Sequence, residues 1–181
     1  QVDFLLVILE LASEALLEII DENENVLGVA PRKDFHDPKR KEKLLHRSVH
    51  VYVIDSKSNK LWIQKRSMDL ELYAGFWDTC VAGHVDPGEA PEQTALRELR
   101  EEYSINAKRL SPAGKYVMHD EWQRQLIWVY WVKTSETPRI SSESSELKLA
   151  SFEEAEKLVS SGKAPRHYAN DLKFLKEAKL F

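Results

Sequence analysis

The stretch Gly83-His84-Val85-Asp86-Pro87-Gly88-Glu89-Ala90-Pro91-Glu92-Gln93-Thr94-Ala95-Leu96-Arg97-Glu98-Leu99-Arg100-Glu101-Glu102-Tyr103-Ser104-Ile105 decides how this chain folds. Asp86-Pro87-Gly88 is turn chemistry: proline presets one backbone angle, and glycine supplies a left-handed residue without strain. Pro91 suits the first position of a helix. From there Ala95, Leu96, Leu99 and Tyr103 recur at spacings of one, three and four, which predicts an amphipathic helix of about three turns. Its other face is charged. Glu98, Glu101 and Glu102 stand at i, i+3 and i+4, where Cβ atoms are about 5–6 Å apart, so three carboxylates repel unless cations join them. Arg97 and Arg100 are near in sequence but point partly elsewhere. Hard carboxylate oxygens without Cys or His ligands match Mg²⁺, with Mn²⁺ the alternative; Mg²⁺ commonly combines one or two carboxylates with waters and substrate phosphates. The bland reading of the same residues is a solvated acidic face laced with Glu–Arg pairs.

Working outward, Trp77–Val85 reads as one strand leading into the turn. Upstream, Ala15–Ile20 and Val26–Ala30 flank Asp21-Glu22-Asn23-Glu24-Asn25, and together they predict a hairpin. The basic, proline-bearing run Asp37–Lys43 reads as a solvated loop. His46–Asp55 and Leu61–Arg66 form a second hairpin. Downstream, Lys115–His119 and Leu126–Lys133 are strands, Thr134–Glu146 is a polar loop, and Leu147–Ala150 is a short strand. Phe152–Ser160 is a helix capped by Ser151 and stopped by Gly162, and Tyr168–Leu180 is a final amphipathic helix. This pattern predicts an α/β (α+β) domain, a mixed β-sheet sandwiched between α-helices.

Length and composition bound what such a domain does. The 181 residues suffice for one domain, here 15–181, with residues 1–14 an N-terminal extension. The 26 Lys and Arg against 30 Asp and Glu leave a net charge of -4, so nothing global draws the chain to nucleic acid or an anionic membrane. The apolar run Phe4–Leu11 is well short of the roughly 20 residues that span a bilayer, and no basic segment precedes it as in a secretory signal. The single Cys80 forms no internal disulfide and suits a reducing, cytoplasmic compartment. Oligomeric state, including a homodimer, stays open.

The stretch resembles the Nudix box: Gly83, Glu89, Arg97, Glu98, Leu99, Glu101, Glu102 and Ile105 all fall in its register, and Ser104 stands where that family has Gly. The resemblance implies a Nudix fold and Mg²⁺-dependent hydrolysis of a diphosphate linkage in a small organic or nucleoside diphosphate derivative. It further implies that Glu98 and Glu102 bind the cation. Glu101 would be a third ligand or general base, the carbonyls of Ala82 or Gly83 would complete the shell, and Gly83, Glu89 and Arg97 would be structural. Glu146, in the polar loop, is the second candidate base, with Glu143 three residues upstream. Arg66 is the candidate contact to substrate phosphate, against the alternative of a surface charge.

Outside the box, Leu45-His46-Arg47-Ser48-Val49-His50-Val51, Gln64-Lys65-Arg66-Ser67, Gly75-Phe76-Trp77-Asp78 and Gly83-His84-Val85 resemble the Nudix subgroup related to type I isopentenyl-diphosphate isomerase. Those isomerases carry a Cys where Ala82 stands, and Cys80 lies two residues earlier. His46 and His84 match two of the subgroup's metal histidines; no clear third appears, since Lys39 falls near its place. For His46, His50 and His84 the bland alternative is packing or strand hydrogen bonding, and for Cys80 a small buried apolar side chain. The alternatives to hydrolysis are thus an isomerase and a silent binding module.

Overall fold

Strand propensity and turn chemistry place the first pair of strands where expected. β1 (Leu16–Ile20) and β2 (Val26–Pro31) form an antiparallel two-stranded sheet, and the Asp21 carboxylate closes their turn by accepting from the N–H groups of Asn23 and Asn25 at 2.8 and 2.9 Å. The computed structural model describes residues 15–37, 39–40, 42–70, 72–78 and 81–180; the extension assigned to residues 1–14, and Cys80, lie outside the described residues. After β2 a single helical turn, α1 (Arg32–Phe35), leads through a loop to β3 (Leu45–Asp55).

β3 organises the second, seven-stranded sheet. On one side it runs parallel to β8 (Arg124–Thr134), from Leu45↔Arg124 to Asp55↔Thr134. β8 pairs in turn with β7 (Ser111–His119), antiparallel. On its other side β3 is shared between two strands. β6 (Val81–His84) pairs with Ser48–Val51, whereas β4 (Leu61–Arg66) touches β3 only at Ile54↔Leu61 and takes β5 (Trp77–Asp78) and β9 (Ser144–Ala150) as its main partners. The sheet therefore forks beside β3. Two sequence expectations change here. Trp77–Val85 is not one strand, because β5 and β6 belong to opposite arms of the fork. The final strand begins at Ser144, so Glu146 is not a loop residue but lies within β9 opposite Lys65.

Alternation along β3 builds the two layers. Val49, Val51 and Val53 face the helix α2 (Pro91–Tyr103) through Ala95, Leu99 and Tyr103, joined by Ile105 just past its end, all buried. Tyr52 and Ile54 point the other way, into a core closed by α3 (Phe152–Ser160) and α4 (Tyr168–Glu177). The mixed sheet thus lies between helices, as the sequence predicts. Earlier on that second face of β3 the alternate positions are polar, His46, Ser48 and His50, and apolar packing stops. A cleft opens over them. Among the described residues no helix is long and apolar enough to cross a membrane.

α3 begins with a capping box: the N–H of Glu154 donates to Ser151 Oγ at 3.2 Å and that of Ser151 to Glu154 Oε2 at 2.7 Å. Ser151→Ala is expected to cost about 1 kcal/mol of folding stability, read as a lowered urea midpoint with an unchanged slope.

Candidate active site

The turn and helix read from the sequence aim the three glutamates differently. Glu89 N–H donates to Asp86 O at 3.0 Å, closing the turn, and α2 ends at Ser104, whose φ of 57° puts it in the left-handed conformation usually given to glycine. Between these ends Arg97 is a hub rather than a bystander. Its guanidinium meets Glu98 at 2.7 Å, Glu89 at 3.2 Å, Asp86 at 3.4 Å and Glu101 at 3.5 Å, while Glu89 also accepts from Thr94 Oγ1 at 2.7 Å. The i, i+3, i+4 face is therefore graded. Glu101 stays in solvent at 54 % exposure, Glu98 is 16 % exposed against β6, and Glu102 is turned inward.

Gly83 is what lets Glu98 in. A Cβ at that position would overlap the Glu98 carboxylate, so the absence of a side chain on β6 makes the space. One turn later Glu102 reaches the fork, where Gln64 of β4 donates to it at 3.2 Å. Burial first, and the carboxylates of Asp78, Glu98 and Glu143 next, push the Glu102 carboxyl up to about 8 despite that hydrogen bond. Burial also raises Glu98, against the pull of Arg97. Buried hard oxygens that repel one another are a fit for a divalent cation such as Mg²⁺ or Mn²⁺.

The cleft over the polar face of β3 has a volume of about 1120 Å³. Glu102, Ala82, Gly83, Arg66 and Glu143 line it at the fork. Arg66 reaches it with its guanidinium held by Asp78 at 3.0 Å and by Leu72 O at 3.3 Å. Glu101 and Glu146 do not line it: the helix periodicity sends the first to solvent, and the register of β9 turns the second away, while Glu143, exposed just before β9, lines the cleft.

At the other end of the cleft stands a set of histidines. The ring nitrogens of His36, His46 and His84 lie within 4.8 Å of one another. His46 and His84 are neighbours across the sheet, their rings stacked at 5.1 Å, and His36, just past α1, is edge-on to both. This supplies the third histidine that sequence position alone assigned near Lys39; α1 shortens the path so that His36 arrives instead. Both ring nitrogens of His46, and Nε2 of His84, are buried without a hydrogen-bond partner. Burial and the neighbouring imidazoles hold His46 down to about 3 and His84 well below the ordinary histidine range, so both rings are neutral donors. Such a set suits a borderline transition metal more than Mg²⁺.

His167 also lines the cleft, and burial, then His50, lowers it to about 4. Because the unfolded chain binds this proton from about pH 6.5 downward and the folded chain does not, stability falls as pH drops through that window. His167→Gln is expected to remove about 2 kcal/mol of the loss between pH 7 and pH 5, measured by urea titration at both pH values.

Comparison with known proteins bears on this geometry. Residues 44–177 match the model of the NUDIX domain family. A Nudix hydrolase of Listeria monocytogenes, described as uncharacterized, is 30% identical over 164 residues, covering 89% of this chain and 95% of that protein. An isopentenyl-diphosphate Delta-isomerase of Streptomyces avermitilis is 34% identical over 103 residues, 57% of this chain; the match spans only half the length of that isomerase. Among solved structures, a MutT protein from Methanosarcina mazei superposes with a TM-score of 0.66 at 22% identity, covering 77% of this chain and 99% of that one. With the box helix, the forked sheet and these matches together, the chain belongs to the NUDIX domain family.

Proposed function

We propose that this protein hydrolyses a diphosphate linkage in a small organic or nucleoside-derived molecule, with Mg²⁺ as its cofactor. The observation that carries the reading is Glu102, a carboxylate turned into the cleft among Asp78, Glu98 and Glu143 and compensated there, among the described residues, by the amide of Gln64. Glu98 and Glu102, with the backbone carbonyl of Ala82 or Gly83, would hold the cation, which when bound neutralises phosphate oxygens and activates water. Arg97 and Glu89 fix the rotamer of Glu98 from behind. Arg66, already oriented by Asp78, turns its remaining N–H groups to a non-bridging phosphate oxygen. The products are two phosphoryl-terminated fragments. A reducing cytoplasm suits the single cysteine.

The test is product analysis with Mg²⁺ on nucleoside di- and triphosphates, nucleotide sugars, thiamine-type diphosphates and isopentenyl diphosphate. Selective cleavage supports the reading and names the substrate class; a chain that binds these compounds without turning any of them over is a binding module. The histidine trio favours a second reading, an isomerase acting on an alkenyl diphosphate, whereas Ala82 offers no thiol to that chemistry. Conversion of isopentenyl to dimethylallyl diphosphate without phosphate release would establish the isomerase and overturn the hydrolase.

A further inference from the structure

The hydrolase reading leaves one step without a residue: the attacking water must lose a proton. Most of the carboxylates around Glu102 are poorly placed to take it. Glu98 is bound to Arg97, Asp78 is bound to Arg66, and Glu101 and Glu146 are outside the cleft, which leaves Glu143, exposed just before β9, as the carboxylate rival among the described residues. On the floor of the same cleft, however, lies a histidine backed by a buried carboxylate. His50 is 4 % exposed at its side chain, and its Nδ1 stands 2.5 Å from Oδ2 of Asp171, which is fully buried on α4. The same oxygen accepts from Tyr52 O–H at 2.9 Å, and the other oxygen, Oδ1, is buried without a hydrogen-bond partner. With Nδ1 committed, Nε2 is the ring nitrogen left to the cleft that His50 lines. The ring is held edge-on to Tyr168 at 5.1 Å and tilted against His167 at 5.8 Å.

Two observations separate this pair from ordinary packing. Asp171 is placed among Tyr52, Leu172 and Leu175, where a carboxylate is costly and apolar side chains would hold α4 to β3 at least as well. His50 is also the cross-strand partner of Ala82, which precedes the Gly83 that makes room for Glu98. Directly opposed side chains on a sheet sit about 4.5–5.5 Å apart at Cβ, so the imidazole overhangs the small Ala82 beside the fork. His50 and Glu102 line the same cleft, and a base there, oriented by a third group through its other nitrogen, is the arrangement that proton abstraction needs.

We propose that His50 is the general base of the hydrolysis and that Asp171 positions it. The water oxygen bonds to phosphorus, the bridging P–O bond breaks, and its electron pair leaves on the departing phosphate oxygen. The water proton goes to Nε2 of His50, Asp171 accepts the Nδ1–H of the resulting imidazolium, and the proton then returns to solvent. This rests on the hydrolase reading.

The experiment compares the full-length protein with His50→Gln, His50→Ala, Asp171→Asn and the His50→Ala/Asp171→Asn double variant. It uses Mg²⁺ and whichever diphosphate of the panel the unaltered protein cleaves, with circular dichroism as the check on folding. His50→Gln is expected to lower kcat by about 100-fold or more with KM within about threefold. Added imidazole is expected to restore part of the rate of His50→Ala and none of that of a Glu102→Gln control, and Asp171→Asn should lower kcat alone but change nothing further once His50 is absent. A folded His50→Gln that keeps kcat within threefold would overturn the proposal while leaving the hydrolase reading intact, as would an Asp171→Asn loss that adds in full to that of His50→Ala. An unaltered protein that cleaves nothing on the panel would overturn both.

Discussion

Glu102→Gln is expected to cripple hydrolysis, with kcat down by about 100- to 1000-fold, while leaving the metal-free protein as stable as before. A removed electrostatic ligand typically costs about 10²–10³ in rate, and Glu102 is the proposed ligand that turns into the cleft at the fork. The stability half of the expectation follows from its surroundings. Burial and the carboxylates of Asp78, Glu98 and Glu143 push Glu102 toward its neutral form, and glutamine is the neutral isostere that keeps the oxygen facing the Gln64 N–H. Two melts check it. Without metal, the variant and the unaltered protein should agree in Tm within a degree or two; with millimolar Mg²⁺ only the unaltered protein should gain, because a ligand that binds the folded state stabilises it by mass action. A variant that still melts higher with Mg²⁺ would move the cation elsewhere in the cleft.

Gly83→Ala is the second large effect, and it acts without touching any charge. The added Cβ falls on the Glu98 carboxylate, and neither side can yield easily. β6 is pinned by its ladder to β3 through Val49↔Gly83, and Glu98 is tied to Arg97 at 2.7 Å. Overpacking of this kind costs about 1–3 kcal/mol, so Tm should fall by several degrees. Mg²⁺ affinity should fall at least tenfold, because Glu98 must leave its rotamer. The double variant Gly83→Ala/Glu98→Ala separates the two consequences: removing the carboxylate makes room for the methyl, so stability should recover while Mg²⁺ binding and activity stay lost. Failure of stability to recover would place the strain in the β6 backbone instead of at Glu98.

These expectations depend in unequal degrees on what one dimension shows. The box helix and the sheet between helices were legible in the sequence because each rests on local rules: a 3.6-residue period, a turn ending in Gly88, and strands of β-branched residues. The glutamate spacing likewise gave a correct common face. It did not reveal the gradient across that face, because exposure depends on what packs opposite. Only the fork between β6 and β4 decides that Glu102 turns inward while Glu101 stays in water. Glu146 and Glu143 illustrate register: a three-residue extension of β9 beyond its apolar run, with the bulge opposite Lys65 and Arg66, exchanges which acid lines the cleft.

The residues that sequence reading missed are those brought together over long separations. His36 joins His46 and His84 through a one-turn helix whose geometry no spacing rule supplies, and Asp171 meets His50 across 121 positions. The polar alternation His46, Ser48, His50 was the available signal, marking one strand face as something other than core. The sequence by itself determined the family and the helix that carries the acids, since both lie within a continuous stretch governed by local backbone physics. The tertiary structure alone decided which acid is buried, which histidines converge and which carboxylate stands behind His50, because burial and proximity are set by the packing of distant segments.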